Sequence, residues 1–291
     1  MLQSTQPTRG PPMSEPGRFA RVALRSRDGA TAEVCRHGAQ VLGWQPRHSG
    51  RNLLYLSERS VYADGAAIRG GIPVVFPQFS VFGPLPKHGF VRGKSWQLRD
   101  GNDAARTVFE CGDDDATRAV WPHRFRATLE VTLGDDTLDT ALSVTNVGDA
   151  ALSFTAALHT YFAVRDVATV RVRGLRGAHY LDATAGMRQG LEGHEAVAFD
   201  GEFDRVFPGL AGDILLEDGR DRITIARTGF ADAVVWNPGA EKAAGLGDLA
   251  PGDHRHFVCI EPAVFDPPVV LSAGATWRGV QRLRHSRAEA D

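Results

Sequence analysis

The sequence predicts an all-β fold: an antiparallel β-sandwich built as a single domain. Several runs alternate apolar and polar residues with the two-residue period of a strand, and almost no stretch has the 3.6-residue period of an amphipathic helix. The 32 glycines and 16 prolines among 291 residues supply the many turns that such a fold needs. No internal repeat or Gly/Ser linker divides the chain, which favours one domain.

The strands of the first half are separated by turn sequences. Residues 19–25 and 31–35 are predicted to form a hairpin, because Arg-Asp-Gly lies between them. The strand at 124–133 is the clearest, since every second residue from Phe125 onward is apolar. Gly-Asp-Asp then leads to a strand at 137–145, and Asn-Val-Gly-Asp leads to a long strand at 151–164.

The strands predicted for the second half are shorter. They are placed at 168–172, 214–216, 222–226, 233–236, 256–261 and 276–283. Residues 1–17 are rich in Pro, Ser, Thr, Gln and Gly and lack an apolar segment, which predicts a disordered leader. We therefore expect the β-sandwich over residues 18–285, followed by a tail at 286–291.

Composition excludes several classes of function. The formal net charge of -2 gives no basic field for nucleic acid or an anionic membrane. No run approaches the ~18 apolar residues of a transmembrane helix. Three scattered cysteines, Cys35, Cys111 and Cys259, are too few for a disulfide framework and indicate a reducing, cytoplasmic compartment. A P-loop, a dinucleotide fingerprint and a nucleophile elbow are all missing.

His159 is the first candidate for proton transfer. Alternation in the strand at 151–164 puts Leu152 and Leu158 on one face, and His159 with Tyr161 on the other, more polar face. An imidazole on the floor of a wet concavity can donate or accept a proton near neutral pH. The alternative is a buried histidine bonded to a backbone carbonyl.

Glu261 is the second candidate, because it ends a strongly apolar strand. It shares a face with Phe257 and Cys259, where a carboxylate is costly unless it is solvated, paired or functional. Partial burial would raise its pKa towards the range of a general base. The alternative is that the strand simply ends there and the carboxylate is exposed.

The segment between Arg69 and Arg92 has the composition of a rigid, irregular binding loop. Glycines and prolines interrupt its apolar residues, and Lys87 and His88 lie inside it. The two guanidinium groups could hold an anion such as phosphate. Alternatively they are surface arginines without a ligand, since arginine supplies almost all cations of this chain.

A metal site is not predicted. His254 and His256 could lie on one face of a strand, as metal ligands sometimes do. However, no cysteine or carboxylate stands at a standard zinc spacing nearby.

Five segments resemble, in order, those of the D-hexose-6-phosphate mutarotases, a branch of the galactose mutarotase-like, aldose 1-epimerase superfamily. They are Arg-Gly-Gly-Ile-Pro…Phe-Pro from Arg69, Lys-His-Gly-Phe-Val-Arg up to Arg92, Leu-His-Thr-Tyr-Phe around His159, Phe-Asp-Arg-Val-Phe around Asp204, and Cys-Ile-Glu-Pro around Glu261. The resemblance extends from about residue 19 to residue 284, and five motifs in order are much more specific than any one alone.

The resemblance implies a β-supersandwich with its site on a concave sheet face. It implies the following roles: His159 as general acid, Glu261 as general base, His88 and Asp204 as sugar ligands, Arg69 and Arg92 as phosphate ligands, and Trp236 as a wall of the pocket. Lys87 stands where related proteins often carry glutamine. An extra cation there could strengthen phosphate binding or change the sugar that fits.

The function implied is interconversion of the α and β anomers of a hexose 6-phosphate, with glucose 6-phosphate as first candidate. Only protons move, so no metal or other cofactor is expected. The expected partner is a small sugar phosphate, without nucleic acid or membrane, and the expected assembly is a monomer or weak dimer. Two alternatives stay open: an epimerase of unphosphorylated aldoses, disfavoured by both arginines, and a non-catalytic carbohydrate-binding protein, disfavoured by the acid–base pair.

Overall fold

The computed structural model of the protein describes residue 17 and residues 19–101 and 103–288, and within them it contains twenty strands and two α-helices. Strands β1 to β20 are, in order, Arg21–Arg25, Thr31–Cys35, Gln40–Gln45, Val74–Val75, Gln97–Asp100, Arg106–Gly112, Phe125–Leu133, Thr137–Asn146, Leu152–Leu158, Tyr161–Ala163, Arg171–Arg173, His179–Asp182, Arg188–Leu191, Ala196–Val197, Phe203–Phe207, Ile214–Asp218, Asp221–Thr228, Asp232–Asn237, Phe257–Leu271 and Thr276–Arg287. Helix α1 is Asp115–Val120 and helix α2 is Gly239–Ala244. Short 3-10 helices are Val91–Gly93, Val167–Thr169, Ala183–Ala185 and Asp253–His256.

The strands form one small and two large sheets, and the strand pairs described here are antiparallel. The small sheet has the order β1-β2-β3. The eight-stranded sheet has the order β13-β12-β15-β18-β19-β9-β4, with β10 also paired to β19. The nine-stranded sheet has the order β14-β11-β16-β17-β20-β8-β7-β6-β5.

A single large hydrophobic core joins the three sheets. It includes Val34 of the small sheet, Leu129 and Leu142 of the nine-stranded sheet, and Leu158 and Ile260 of the eight-stranded sheet. Because these residues share one cluster, the two large sheets pack as layers of one domain. The predicted all-β, antiparallel, single-domain fold is confirmed.

Alternate side chains of the eight-stranded sheet point to opposite faces, one towards the large core and one away from it. In β19, Val258 and Ile260 belong to the large core, whereas Phe257 and Cys259 belong to a smaller cluster on the opposite face. The predicted sharing of one face by Phe257, Cys259 and Glu261 follows from this alternation. We call this opposite side the outer face of the sheet.

The strand predicted at 151–164 is wrong as one element, because the chain bends at His159 and Thr160. Strand β9 ends at Leu158 and β10 begins at Tyr161. The Thr160 N–H donates to the Leu158 carbonyl, two residues back, and the His159 N–H donates to the Pro73 carbonyl. These bonds replace the sheet ladder at the bend and turn the imidazole out of the strand.

Other boundaries also differ from the predictions. Residues 256–261 and 276–283 extend to the longer strands β19 and β20, while 168–172 is partly a 3-10 helix. Residues 1–16 of the predicted leader, residue 18 at the start of the predicted sandwich, and residues 289–291 of the predicted tail lie outside the described residues. No helix in the described part of the chain is both long and apolar enough to cross a membrane.

Candidate active site

One cavity on the outer face of the eight-stranded sheet is lined by all the predicted site residues. They are Arg69, Lys87, His88, Arg92, His159, Asp204, Trp236 and Glu261. Neighbouring strands β15, β18 and β19 supply the aspartate, the tryptophan and the glutamate, and the bend after β9 supplies the catalytic-candidate histidine. The other four come from the irregular segment that surrounds the short strand β4.

Two glycines let this segment approach the rest of the backbone closely. Gly71 has a φ of +63°, and a Cβ there would lie 2.1 Å from the Val41 carbonyl oxygen. Gly89 has a φ of +68°, and a Cβ there would lie 2.1 Å from the Phe76 carbonyl oxygen. Both positions therefore require glycine, which explains the two Gly-containing motifs of the segment.

We expect Gly71→Ala to lower the free energy of unfolding by about 2–4 kcal/mol, since it combines backbone strain with a backbone clash. Gly177→Ala is the matched control, because its φ is +78° but no atom lies within 4 Å of an added Cβ. Urea unfolding of both variants measures the difference. Equal losses would mean that the close approach at Gly71 contributes nothing.

His159 and Glu261 form a buried pair at the centre of the cavity. His159 Nδ1 lies 3.3 Å from Glu261 Oε1, and the two residues are only 7% and 2% exposed. Neither His159 Nδ1 nor Glu261 Oε2 has a hydrogen-bond partner among the described residues. Both atoms are thus available to a ligand or to a proton shared between the two side chains.

Aromatic packing holds the His159 ring in place. It stacks on Tyr161 with ring centroids 4.7 Å apart and planes at 9°. The edge of Trp236 meets it at a centroid distance of 5.7 Å and 88°. A ring fixed on two sides keeps one orientation towards a bound substrate, as acid–base catalysis requires.

Burial favours the neutral forms of this pair. It raises the pKa of Glu261 well above its usual range, and the charge of Asp204 acts in the same direction. It lowers the pKa of His159 well below its usual range, and neighbouring cations such as Arg92 add to that effect. In the resting pair the transferable proton therefore resides on Glu261. Its movement to His159 gives the carboxylate base and the imidazolium acid that the predicted roles require.

His88 is a neutral hydrogen-bond donor. The Ser80 backbone N–H donates to His88 Nδ1 at 3.3 Å, so the ring proton resides on Nε2. Burial and the charge of Arg92 lower the pKa of His88 to about 2, which keeps the ring uncharged. Its ring centroid lies 5.4 Å from that of His159.

Gln78, which the sequence analysis missed, organises the loop that carries His88. Its amide nitrogen donates to the carbonyls of Ser80 and Leu85, and its amide oxygen accepts from the Leu85 N–H. This buried side chain replaces backbone pairing that the irregular loop lacks. Glutamine has no distinctive local pattern, so only its buried position reveals the role.

The cations of the cavity differ in whether they have partners. In the described part of the chain, Lys87 and Arg92 have no carboxylate partner, and Arg92 Nη2 donates only to the Lys87 carbonyl at 2.9 Å. Arg69 is already engaged: its Nε donates to Asp248 at 3.0 Å and its Nη1 to the Tyr161 hydroxyl at 2.9 Å. Unpaired cations beside a partly buried cavity are the arrangement expected of an anion site.

Asp204 is the second carboxyl group of the cavity. It lies opposite Trp236 in the β15–β18 pair. Burial raises its pKa to about 6, although the charges of Lys242 and Lys87 oppose the rise. An ionised carboxylate here can accept a hydrogen bond from a sugar hydroxyl.

Comparison with known proteins shows the family of the chain. The family model for aldose 1-epimerase matches residues 20–284. The chain belongs to the aldose 1-epimerase family. A protein of Cenchrus ciliaris named "putative glucose-6-phosphate 1-epimerase" is 34% identical over 279 residues, which cover 91% of this chain and 84% of the relative. A protein of the same name from Escherichia coli K12 is 31% identical over 242 residues, covering 80% and 79%.

A solved structure of the same fold agrees with this assignment to the aldose 1-epimerase family. The crystal structure of a "putative mutarotase" from Salmonella typhimurium superposes with a TM-score of 0.84 at 27% identity, covering 92% of this chain and 90% of that one. The predicted galactose mutarotase-like β-supersandwich is confirmed.

Two sets of side chains bear on metal binding in this aldose 1-epimerase family member. The pattern His254-Arg255-His256 lies in a 3-10 helix, so the suggested placement on a strand is wrong. The ligand atoms of His159, Cys259 and Glu261 lie within 4.8 Å of one another, a spacing that could hold an ion. The predicted absence of a metal stays a prediction that rests on the proton-transfer chemistry.

Proposed function

We propose that the protein interconverts the α and β anomers of a hexose 6-phosphate, with glucose 6-phosphate as first candidate. One observation carries the proposal: the buried His159–Glu261 pair shares a cavity with the unpaired cations Lys87 and Arg92. The pair supplies acid–base chemistry and the cations suit a phosphate. The names of the relatives from Cenchrus ciliaris and Escherichia coli support the same substrate.

Ring opening needs one proton removed and one delivered. The pair reacts with its shared proton on His159, which lies 3.3 Å from Glu261. The Glu261 carboxylate then takes the proton of the anomeric hydroxyl while the His159 imidazolium protonates the ring oxygen, which breaks the C1–O5 bond and leaves an aldehyde. Rotation about C1–C2 presents the other face of the carbonyl. The reversed transfers then close the ring as the other anomer and restore the proton to His159.

The remaining residues position the sugar. The Nε2–H of His88 can donate to a sugar oxygen, Asp204 can accept from a hydroxyl, and Trp236 offers an apolar wall. Phosphate held by Lys87 and Arg92 supplies binding energy away from C1, which orients the reacting carbon. Arg69 retains unused N–H groups on both terminal nitrogens and can add to phosphate binding.

Substrate binding should depend on the ionisation of Asp204. Its pKa of about 6 means that the carboxyl is ionised above pH 6 and neutral below it. A neutral carboxyl is a weaker acceptor, so we expect KM to rise as pH falls through about 6. Asp204→Asn should raise KM at pH 7.5 and remove this pH dependence. A KM that titrates unchanged in the variant would assign the ionisation to another group.

Anomer exchange measured by polarimetry on separate sugars tests the proposal. Glucose 6-phosphate, glucose and galactose would each be dissolved as one anomer, with and without protein. Acceleration of the phosphorylated sugar alone is the expected result. Acceleration of only the free sugars would favour an aldose epimerase, and acceleration of none would favour a carbohydrate-binding protein.

We also propose a cytoplasmic location, which the three free and buried thiols of Cys35, Cys111 and Cys259 support. The absence of nucleic-acid and membrane partners, and a monomeric or weakly dimeric state, remain predictions.

A further inference from the structure

Lys242 enters the candidate site from helix α2, a segment to which the sequence analysis gave no role. The side chain lines the same cavity as His159 and Glu261. The chain has only three lysines against thirty arginines. Two of the three, Lys87 and Lys242, line this one cavity. Lysine is a compact point charge on a flexible stem, so it can follow a ligand that moves.

The charge of Lys242 acts on the other groups of the cavity. It contributes to the lowered pKa of Lys87, after partial burial, and it opposes the rise in the pKa of Asp204. The two ammonium groups thus repel each other beside the same opening. An anion bound between them would relieve that repulsion.

Lys242 forms an exposed ion pair with Glu202, which a phosphate could replace. Its Nζ lies 2.5 Å from Glu202 Oε1, and the two side chains are 43% and 35% exposed. An ion pair this exposed contributes little to stability, so replacing it with a phosphate contact costs little. Arg69 differs, because its bonds to Asp248 and Tyr161 are less exposed and anchor the loop after α2.

We propose that Lys242 is a specificity-determining residue that leaves Glu202 to bind the substrate phosphate together with Lys87 and Arg92. This rests on the proposed function. Lys242 would then favour a phosphorylated over an unphosphorylated sugar, while the acid–base step stays with His159 and Glu261.

The test compares Lys242→Met with wild type on glucose 6-phosphate. We expect KM to rise about tenfold, as for the loss of one charged hydrogen bond, with kcat changed less than about twofold. Glu202→Gln removes the competing carboxylate and should lower KM by about two- to threefold, which a purely structural ion pair would not do.

Lys94→Met is the matched control. Lys94 lies in a neighbouring groove with Lys87 and Arg92, pairs with Asp114, and does not line the candidate site. Lys94→Met removes the same charge as Lys242→Met and should leave KM unchanged. An equal rise in KM in both lysine variants, or an unchanged KM in Lys242→Met, would overturn the inference.

A binding measurement separates this inference from the proposed function. Calorimetric titration with inorganic phosphate needs no turnover, and Lys242→Met should weaken the affinity about tenfold relative to wild type. If wild type binds phosphate about tenfold more tightly than Lys242→Met but does not accelerate anomer exchange, the proposed function fails and the role of Lys242 in anion binding stands. If wild type accelerates exchange and phosphate affinity is the same in Lys242→Met, only the role of Lys242 fails.

Discussion

Glu261→Gln should reduce the enzyme-catalysed rate of anomer exchange by about 10³-fold or more, because glutamine cannot take a proton from the anomeric hydroxyl. His159→Asn should cause a similar loss through the missing general acid. The two losses should not add in the double variant, since the pair acts as a unit. The rate of anomer exchange in the two single variants and the double variant would be measured by NMR at saturating glucose 6-phosphate.

Glu261→Gln should not destabilise the fold. Burial penalises the ionised form of Glu261, so a neutral glutamine of similar shape should leave the melting temperature unchanged or raise it. Glu192→Gln is the matched control: this glutamate is 2% exposed but bonds to Arg205 and His194 away from the cavity. It should lower stability and retain activity. Near-normal turnover in Glu261→Gln or His159→Asn would contradict the assignment of these residues as general base and general acid.

Arg92→Met should raise KM for glucose 6-phosphate about 100-fold, with a much smaller change in kcat. The guanidinium has no carboxylate partner among the described residues, so its charge is available to the phosphate. Methionine keeps an apolar stem in the same space, which limits changes in packing. Initial rates over a range of substrate concentrations separate KM from kcat.

Arg282→Met is a suitable control, because Arg282 pairs with Asp139 on the nine-stranded sheet. It should change neither constant. A fall in kcat without a change in KM in Arg92→Met would show that this arginine does not hold the phosphate and acts on the chemistry instead.

Much of the fold could be predicted because the sheet alternation is strong. Strands β7 and β8 closely match the predicted ranges, and their inward residues form the core. The short strands β11 to β14, of two to four residues, were mostly missed, since so few residues show no period. The bend at His159 was also missed, because the His159 N–H donates to the carbonyl of Pro73, a residue distant in sequence.

Most residues of the candidate site could be predicted from the sequence, because the five motifs contain all of the predicted site residues except Trp236. Its partners could not be predicted. Arg69 bonds to Asp248 across 179 positions of sequence, a contact that only the folded chain creates. Lys242 lies in a short Gly- and Ala-rich helix without a pattern. The scarcity of lysine in this chain was a signal that could have pointed to it.

The proposed reaction is exchange of the anomers of a phosphorylated hexose by His159 and Glu261. The most direct test is two-dimensional exchange NMR on one tube containing both glucose 6-phosphate and glucose, at anomeric equilibrium. Wild-type protein should give exchange peaks between the α and β C1 protons of the phosphorylated sugar only, and His159→Asn should give none. Exchange peaks for glucose alone, or equal peaks with His159→Asn, would contradict the proposed reaction.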